Sequence, residues 1–146
     1  MPELVALPPA PDILPNPRPA HWRKEFKLFA FVMSDDEYVD WLARNVKFDI
    51  PPGREPTRGQ LISTARTYCS SLILSNNLGI ARLVWPADEQ ERKDNPYLRL
   101  VAFAVGTNRT LEDLKNAYDV ERIREMAKFL GKDEDAMPQW YTFAPY

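Results

Sequence analysis

Tyr97-Leu98-Arg99-Leu100-Val101-Ala102-Phe103-Ala104-Val105 is apolar at nearly every position, with only Arg99 interrupting it. A run of this kind suits a strand covered on both faces, and hence one near the middle of a sheet. Lys27 to Met33 (Lys-Leu-Phe-Ala-Phe-Val-Met) has the same character. Each run leads into a helix-start signal: Ser34 with Glu37 makes a capping-box pattern, and Thr110 with Asp113 a similar start.

Working outward, Tyr38, Trp41, Leu42 and Val46 share one helical face, which predicts a helix ending near Phe48. Three prolines and Gly53 between Asp49 and Pro56 prevent its continuation. Thr57 then caps a second helix to about Asn76, with Leu61, Ile62, Ala65, Cys69, Leu72 and Ile73 as its buried stripe. Asn76, Asn77 and Gly79 stop it, Gly79 being suited to left-handed geometry. Ile80 to Trp85 reads as a strand closed by Pro86, and residues 87–96 as a charged connection. Beyond the central strand, Gly106-Thr107-Asn108 turns the chain. A helical stripe then runs through Leu111, Leu114, Tyr118, Val120, Ile123, Ala127 and Leu130 to an exit at Gly131. Asp119 within it is either an interior residue or a second cap. Gln139 to Phe143 is rich in strand formers and makes the last strand.

The order is strand, helix, helix, strand, strand, helix, strand. With the two early helices merged into one crossover it becomes βαββαβ, the split unit of ferredoxin-like folds. The expectation is one α+β domain over residues 21–146, with a four-stranded, mainly antiparallel sheet and helices packed on one face. A proline-rich extended arm, residues 1–20, precedes it and holds seven of the 14 prolines. Leu4, Val5, Leu7, Ile13 and Leu14 suit an arm laid over apolar surface, the alternative being a flexible tail.

The totals narrow the function. A chain of 146 residues, 45% hydrophobic and 27% charged, has a globular composition. With 19 basic and 21 acidic residues it lacks the basic excess of a dedicated nucleic-acid binder, so no nucleic-acid partner is expected. Cys69 is the only cysteine and His21 the only histidine, which excludes an internal disulfide, a multi-cysteine metal site and His-pair ligation. No metal, cofactor or membrane partner is expected, and the first residues lack the basic start of a secretory signal, so the expected location is the cytoplasm. Asn108-Arg109-Thr110 matches a glycosylation acceptor but reads as a loop entering a helix.

No catalytic residue stands out, and the balance leans away from an enzyme. Asp35-Asp36-Glu37 suits the first turn of a helix rather than a cation site. Cys69 lies in a buried stripe rather than beside a base. Arg54, Thr57 and Arg58 are the anion-binding candidates, because they flank a predicted helix start. The most informative feature is aromatic: Trp22 at one end, and Trp140, Tyr141, Phe143 and Tyr146 at the other. Strand alternation puts Trp140 on one face and Tyr141 with Phe143 on the other. Such residues suit interfaces and proline-recognising grooves. The leading expectation is therefore a non-catalytic interaction module that self-associates, as a homodimer, or binds a protein partner, with the arm docked on aromatics. The alternative is a small dimeric enzyme or small-molecule binder with a pocket between sheet and helices, for which His21, Tyr68, Trp85 and Arg99 are the pocket candidates.

Overall fold

A computed structural model describes residues 7–15 and 22–144; His21 and Tyr146 lie outside the described residues. Four strands form one sheet: β1 (Lys27–Val32), β2 (Ile80–Val84), β3 (Leu100–Thr107) and β4 (Gln139–Thr142). Their spatial order is β2-β3-β1-β4 and every neighbouring pair is antiparallel. That order is compatible with a split βαββαβ arrangement. The helices are α1 (Trp22–Glu25), α2 (Asp35–Asn45), α3 (Arg58–Ser75), α4 (Glu89–Asp94), α5 (Leu111–Ala117) and α6 (Val120–Leu130).

Local chemistry sets the helix starts. Ser34 and Thr57 each accept from the third helical amide, while Glu37 and Gln60 reach back to the cap amides. Two free donors are thereby satisfied at each end. Asp119 settles the ambiguity of the last helical stretch. Its carboxylate accepts from the Glu121 and Arg122 amides, so it caps α6, and the stripe predicted as continuous is broken into α5 and α6. Gly131 takes the left-handed exit expected of it, φ 76°.

Three details differ from the sequence expectation. The central strand begins at Leu100 rather than Tyr97, because Pro96 and Tyr97 form a turn that leaves Tyr97 90% exposed. Part of the charged connection is helical, since Asp88 caps α4 through the Gln90 amide. The left-handed residue after α3 is Asn77 (φ 55°), whereas Gly79 is small for another reason. A Cβ there would collide with the Ala104 carbonyl.

The two faces of the sheet bury different sets of side chains, as the period of two requires. On one face Phe29, Phe31, Phe103 and Val105 meet Tyr38, Trp41 and Leu42 of α2, Ala65, Cys69 and Ile73 of α3, and Ile123, Met126 and Leu130 of α6. Trp41 locks this layer: it is 1% exposed, and its indole N–H donates to the Phe129 carbonyl at 2.8 Å. Gly106 sits inside β3 rather than in a turn, and the backbone of Ala117 presses against it where any Cβ would clash. Val105 is the extra residue of a bulge there, since Phe29 pairs with Gly106 but Ala30 with Ala104.

The other face carries Leu28, Ala30, Val84, Ala102, Ala104 and Tyr141, all buried. The chain beyond β4 explains part of that burial. Val84 and Phe143 form an antiparallel bridge, in which the Trp85 amide donates to the Thr142 carbonyl (3.0 Å) and the Ala144 amide to the Leu83 carbonyl (2.9 Å). β2 and β4 are the two edges of the sheet, so these bonds draw its edges together at one end. The Arg82 guanidinium bonds the Ala81 carbonyl further along β2. At that end the two edges pair with each other rather than standing free for strand addition.

Candidate interaction surfaces

The sequence-nominated aromatics separate into three groups. Trp22 stacks on Phe143 at 6.2 Å with 13° between planes, and Phe26 completes the cluster at 5.4 Å from Phe143. Trp140 lies on the helical face, 4.9 Å from Phe29 and 6.4 Å from Tyr118. Tyr141 is 7% exposed on the opposite face, where burial raises its pKa. The predicted alternation of β4 therefore holds, but the rings do not form one continuous outer surface. Trp22 and Phe143 instead fasten α1 to the closing segment, each such contact contributing about 0.5–1.5 kcal/mol beyond area burial.

The anion candidates are engaged or apart. Thr57 spends its hydroxyl on the Gln60 amide, and Arg58 is ion-paired with Asp36 of α2. The carboxylate of Asp36 raises the already high pKa of Arg58. Arg54 is exposed in the loop before α3. Of the pocket candidates, Trp85 and Arg99 come together, with the guanidinium carbon 4.2 Å from the ring centroid. Arg99 also donates to the Tyr97 carbonyl at 3.3 Å, so Tyr97, Arg99 and Trp85 make one corner of the molecule. Tyr68 lies on α3 and is 41% exposed.

Asn108 was passed over as a candidate because a loop asparagine carries no distinctive signal. It is 2% exposed and joins four segments. Its side-chain oxygen accepts from the Lys27 amide (2.8 Å), and its amide nitrogen donates to the carbonyls of Asp12 (2.9 Å) and Glu25 (2.8 Å). Its backbone accepts from the Leu14 amide at 2.9 Å and donates to the Lys27 carbonyl at 3.2 Å. The Tyr118 hydroxyl donates to the Pro8 carbonyl (2.8 Å), so the described part of the arm is held at both ends of α5. The same bonds consume both hydrogens of the nitrogen that a glycan would require, so the Asn108-Arg109-Thr110 match is sequestered in the fold.

Two surface recesses accompany these features. One, of about 350 Å³, lies between arm residues 11–15 and Lys24, Glu25, Lys27 and Asn108. Lys27 bonds Thr142 there, and its pKa is lowered, first by desolvation and then by nearby Arg92. The other, of about 390 Å³, lies between α2 and the end of α6, beside Glu37, Asp40, Arg44 and Gly131. Burial works to raise the pKa of Glu37, but its hydrogen bonds with Lys132 (2.7 Å) and Ser34 outweigh it and lower the value. Cys69 is fully buried and its thiol is pushed up to about 12 by desolvation; Tyr38 is likewise pushed up to about 12, with Arg66 over its ring. Among the described residues there is no group of three or more His, Cys, Asp or Glu placed to hold a metal, and no helix long and apolar enough to cross a membrane. Comparison of the chain with protein-family models, with curated proteins and with solved structures returns no match.

Proposed function

We propose that this chain is a protein-interaction module that self-associates, working in the cytoplasm as a homodimer built on a ferredoxin-like sheet. The observation that supports the reading is the corner formed by Tyr97, Arg99 and Trp85. Tyr97 is 90% exposed on a turn whose carbonyl is bonded by Arg99, and Arg99 is stacked on Trp85. Tyrosine, tryptophan and arginine dominate the energetics of protein interfaces, and Arg99 is already held between the Tyr97 carbonyl and the Trp85 ring. The pairing of the two sheet edges at one end supports a side-chain surface such as this one over strand addition there. Sedimentation velocity across a hundredfold concentration range tests the reading. Concentration-dependent mass that Tyr97→Asp abolishes supports it, and a monomer at every concentration contradicts it.

A small-molecule binder is the second reading, favoured by the recess under the arm. Lys24, Glu25 and Lys27 line it opposite Asp12 of the arm, with the buried Asn108 at its side. Native mass spectrometry of the purified chain decides this one: a co-purified small mass supports the pocket, and loss of that mass on Lys27→Ala places it there.

A further inference from the structure

We propose that the seat of the arm is a polyproline-recognising groove, from which a partner protein's segment of the pattern Pro-x-x-Pro-x-x-Leu displaces the arm. This goes beyond self-association and uses none of the Tyr97 corner. The arm itself shows what the groove reads. Residues 7–15, Leu-Pro-Pro-Ala-Pro-Asp-Ile-Leu-Pro, hold four prolines and form neither helix nor strand. Beyond the half-buried Leu7, burial recurs every third residue. Pro8 and Pro11 are half-buried and Leu14 is buried, while Pro9, Ala10, Asp12, Ile13 and Pro15 are exposed. Three residues per turn is the period of a polyproline II helix, so one edge of such a helix faces the domain. Hydrogen bonds fix that edge. The Tyr118 hydroxyl donates to the Pro8 carbonyl, the Asn108 side chain to the Asp12 carbonyl, and the Leu14 amide to the Asn108 carbonyl. Tyr118 packs in turn on Phe29 and Trp140, at 5.8 and 6.4 Å between ring centroids. Aromatic-lined grooves take proline-rich chains in this way, because the preset backbone loses little entropy on binding.

The arm is a replaceable occupant. Among the described residues it is held by these three hydrogen bonds, and it joins no strand ladder. It also fills its seat incompletely, leaving the recess of about 350 Å³ between residues 11–15 and Lys24, Glu25 and Lys27. A segment attached so sparsely opens at the low end of local stability. A partner segment with the same three inward positions and a bulkier group over the recess packs where the arm leaves space. The arm of a second copy is not the favoured occupant. It brings the same contacts as the tethered arm but lacks the tether, which supplies an effective concentration of roughly millimolar order.

The test uses the full chain and a labelled peptide copying residues 7–15, followed by fluorescence anisotropy. Leu14→Asp in the chain unseats the arm. The peptide should bind this variant at least about tenfold more tightly than the wild type, because the tethered competitor is gone. Circular dichroism checks each variant, and the milder Pro11→Asp takes its place should Leu14→Asp not fold. A peptide with Asp at the positions of Pro8, Pro11 and Leu14 should lose binding, whereas one with Ser at those of Ala10 and Ile13 should keep it. Tyr118→Phe, added to the unseated chain, should weaken binding about fivefold, the worth of one hydrogen bond. Tyr97→Asp should leave it unchanged. No binding to the unseated chain, equal affinity for it and the wild type, or equal binding of the two substituted peptides overturns the proposal. If unseating the arm abolishes a concentration-dependent mass, a second copy's arm is the occupant and the partner segment is excluded. If the peptide fails while the mass still rises with concentration, the groove is wrong and the self-association reading stands.

Discussion

Replacing Asn108 with Ala should be among the most damaging single changes outside the apolar core. Three side-chain hydrogen bonds disappear at once, those to the Lys27 amide and to the Asp12 and Glu25 carbonyls. Each is worth about 1 kcal/mol net, and a buried group left unpaired costs about 1–3 kcal/mol. The Lys27 amide has no water-facing alternative as good, so the sum comes to about 3–4 kcal/mol. In a chain of 146 residues a loss of 1 kcal/mol lowers Tm by about 2–4 °C, so the expected drop is about 6–16 °C. Asn108→Asp is the sharper variant. It keeps the shape and the acceptor, but sets a second oxygen, and above the carboxylate pKa a charge, against two carbonyls. It should therefore be at least as destabilising as alanine at pH 7 and recover part of the loss as the pH falls toward 4. Urea unfolding at both pH values measures this. A loss below about 1 kcal/mol for Asn108→Ala, or an aspartate variant as stable as the wild type at pH 7, would refute the view of Asn108 as the polar centre that ties the arm to the sheet.

Two further outcomes follow from the titrating groups. The folded-state pKa of Glu37 lies below its ordinary value of 4.5, so its pairing with Lys132 stabilises the fold above that value and is lost as the pH falls through the folded one. Lys132→Met should thus cost up to about 1 kcal/mol at pH 7, small because Glu37 is partly exposed, and progressively less as the pH falls below 4.5; a difference that stays constant on acidification would contradict the assignment. Cys69, fully buried with its thiol raised to about 12, should resist iodoacetamide at pH 8 in the folded chain and react on unfolding in urea; rapid labelling of the native protein would mean that α3 does not pack as described.

The sequence was most legible where one local rule acts alone. Ser34 with Glu37 announces a helix start, because the cap and its partner lie three residues apart, and Thr57 marks another by its cap alone. The alternation of Trp140 and Tyr141 across β4 follows from backbone geometry alone. The strand order, compatible with the split unit, was within reach because the strands and crossovers follow one another with clear breaks. What could not be read depends on distant partners. The apolar run gives Tyr97 to the central strand, but Pro96 and the turn it enforces expel it. Asn108 looks like any loop asparagine until Asp12, Glu25 and Lys27, some 80 or more residues away, converge on it. The grouping of Trp22 with Phe143, and the bonds from Trp85 and Ala144 that close the sheet, likewise join segments with no shared local pattern. The nominated aromatics accordingly divide between the two faces of the sheet, as alternation along β4 requires, and the Trp22–Phe143 clamp.

The proposed use of the Tyr97 corner rather than a strand edge rests on the pairing of the two sheet edges at one end. Amide hydrogen exchange read by NMR tests this most directly, at Trp85 and Ala144. Both should exchange slowly, with protection comparable to amides within the β1–β3 ladder, because each donates across the β2–β4 seam. Exchange of these two amides at the rate of an unstructured peptide, with the β1–β3 ladder still protected, would show that the seam is open and the sheet edges are free.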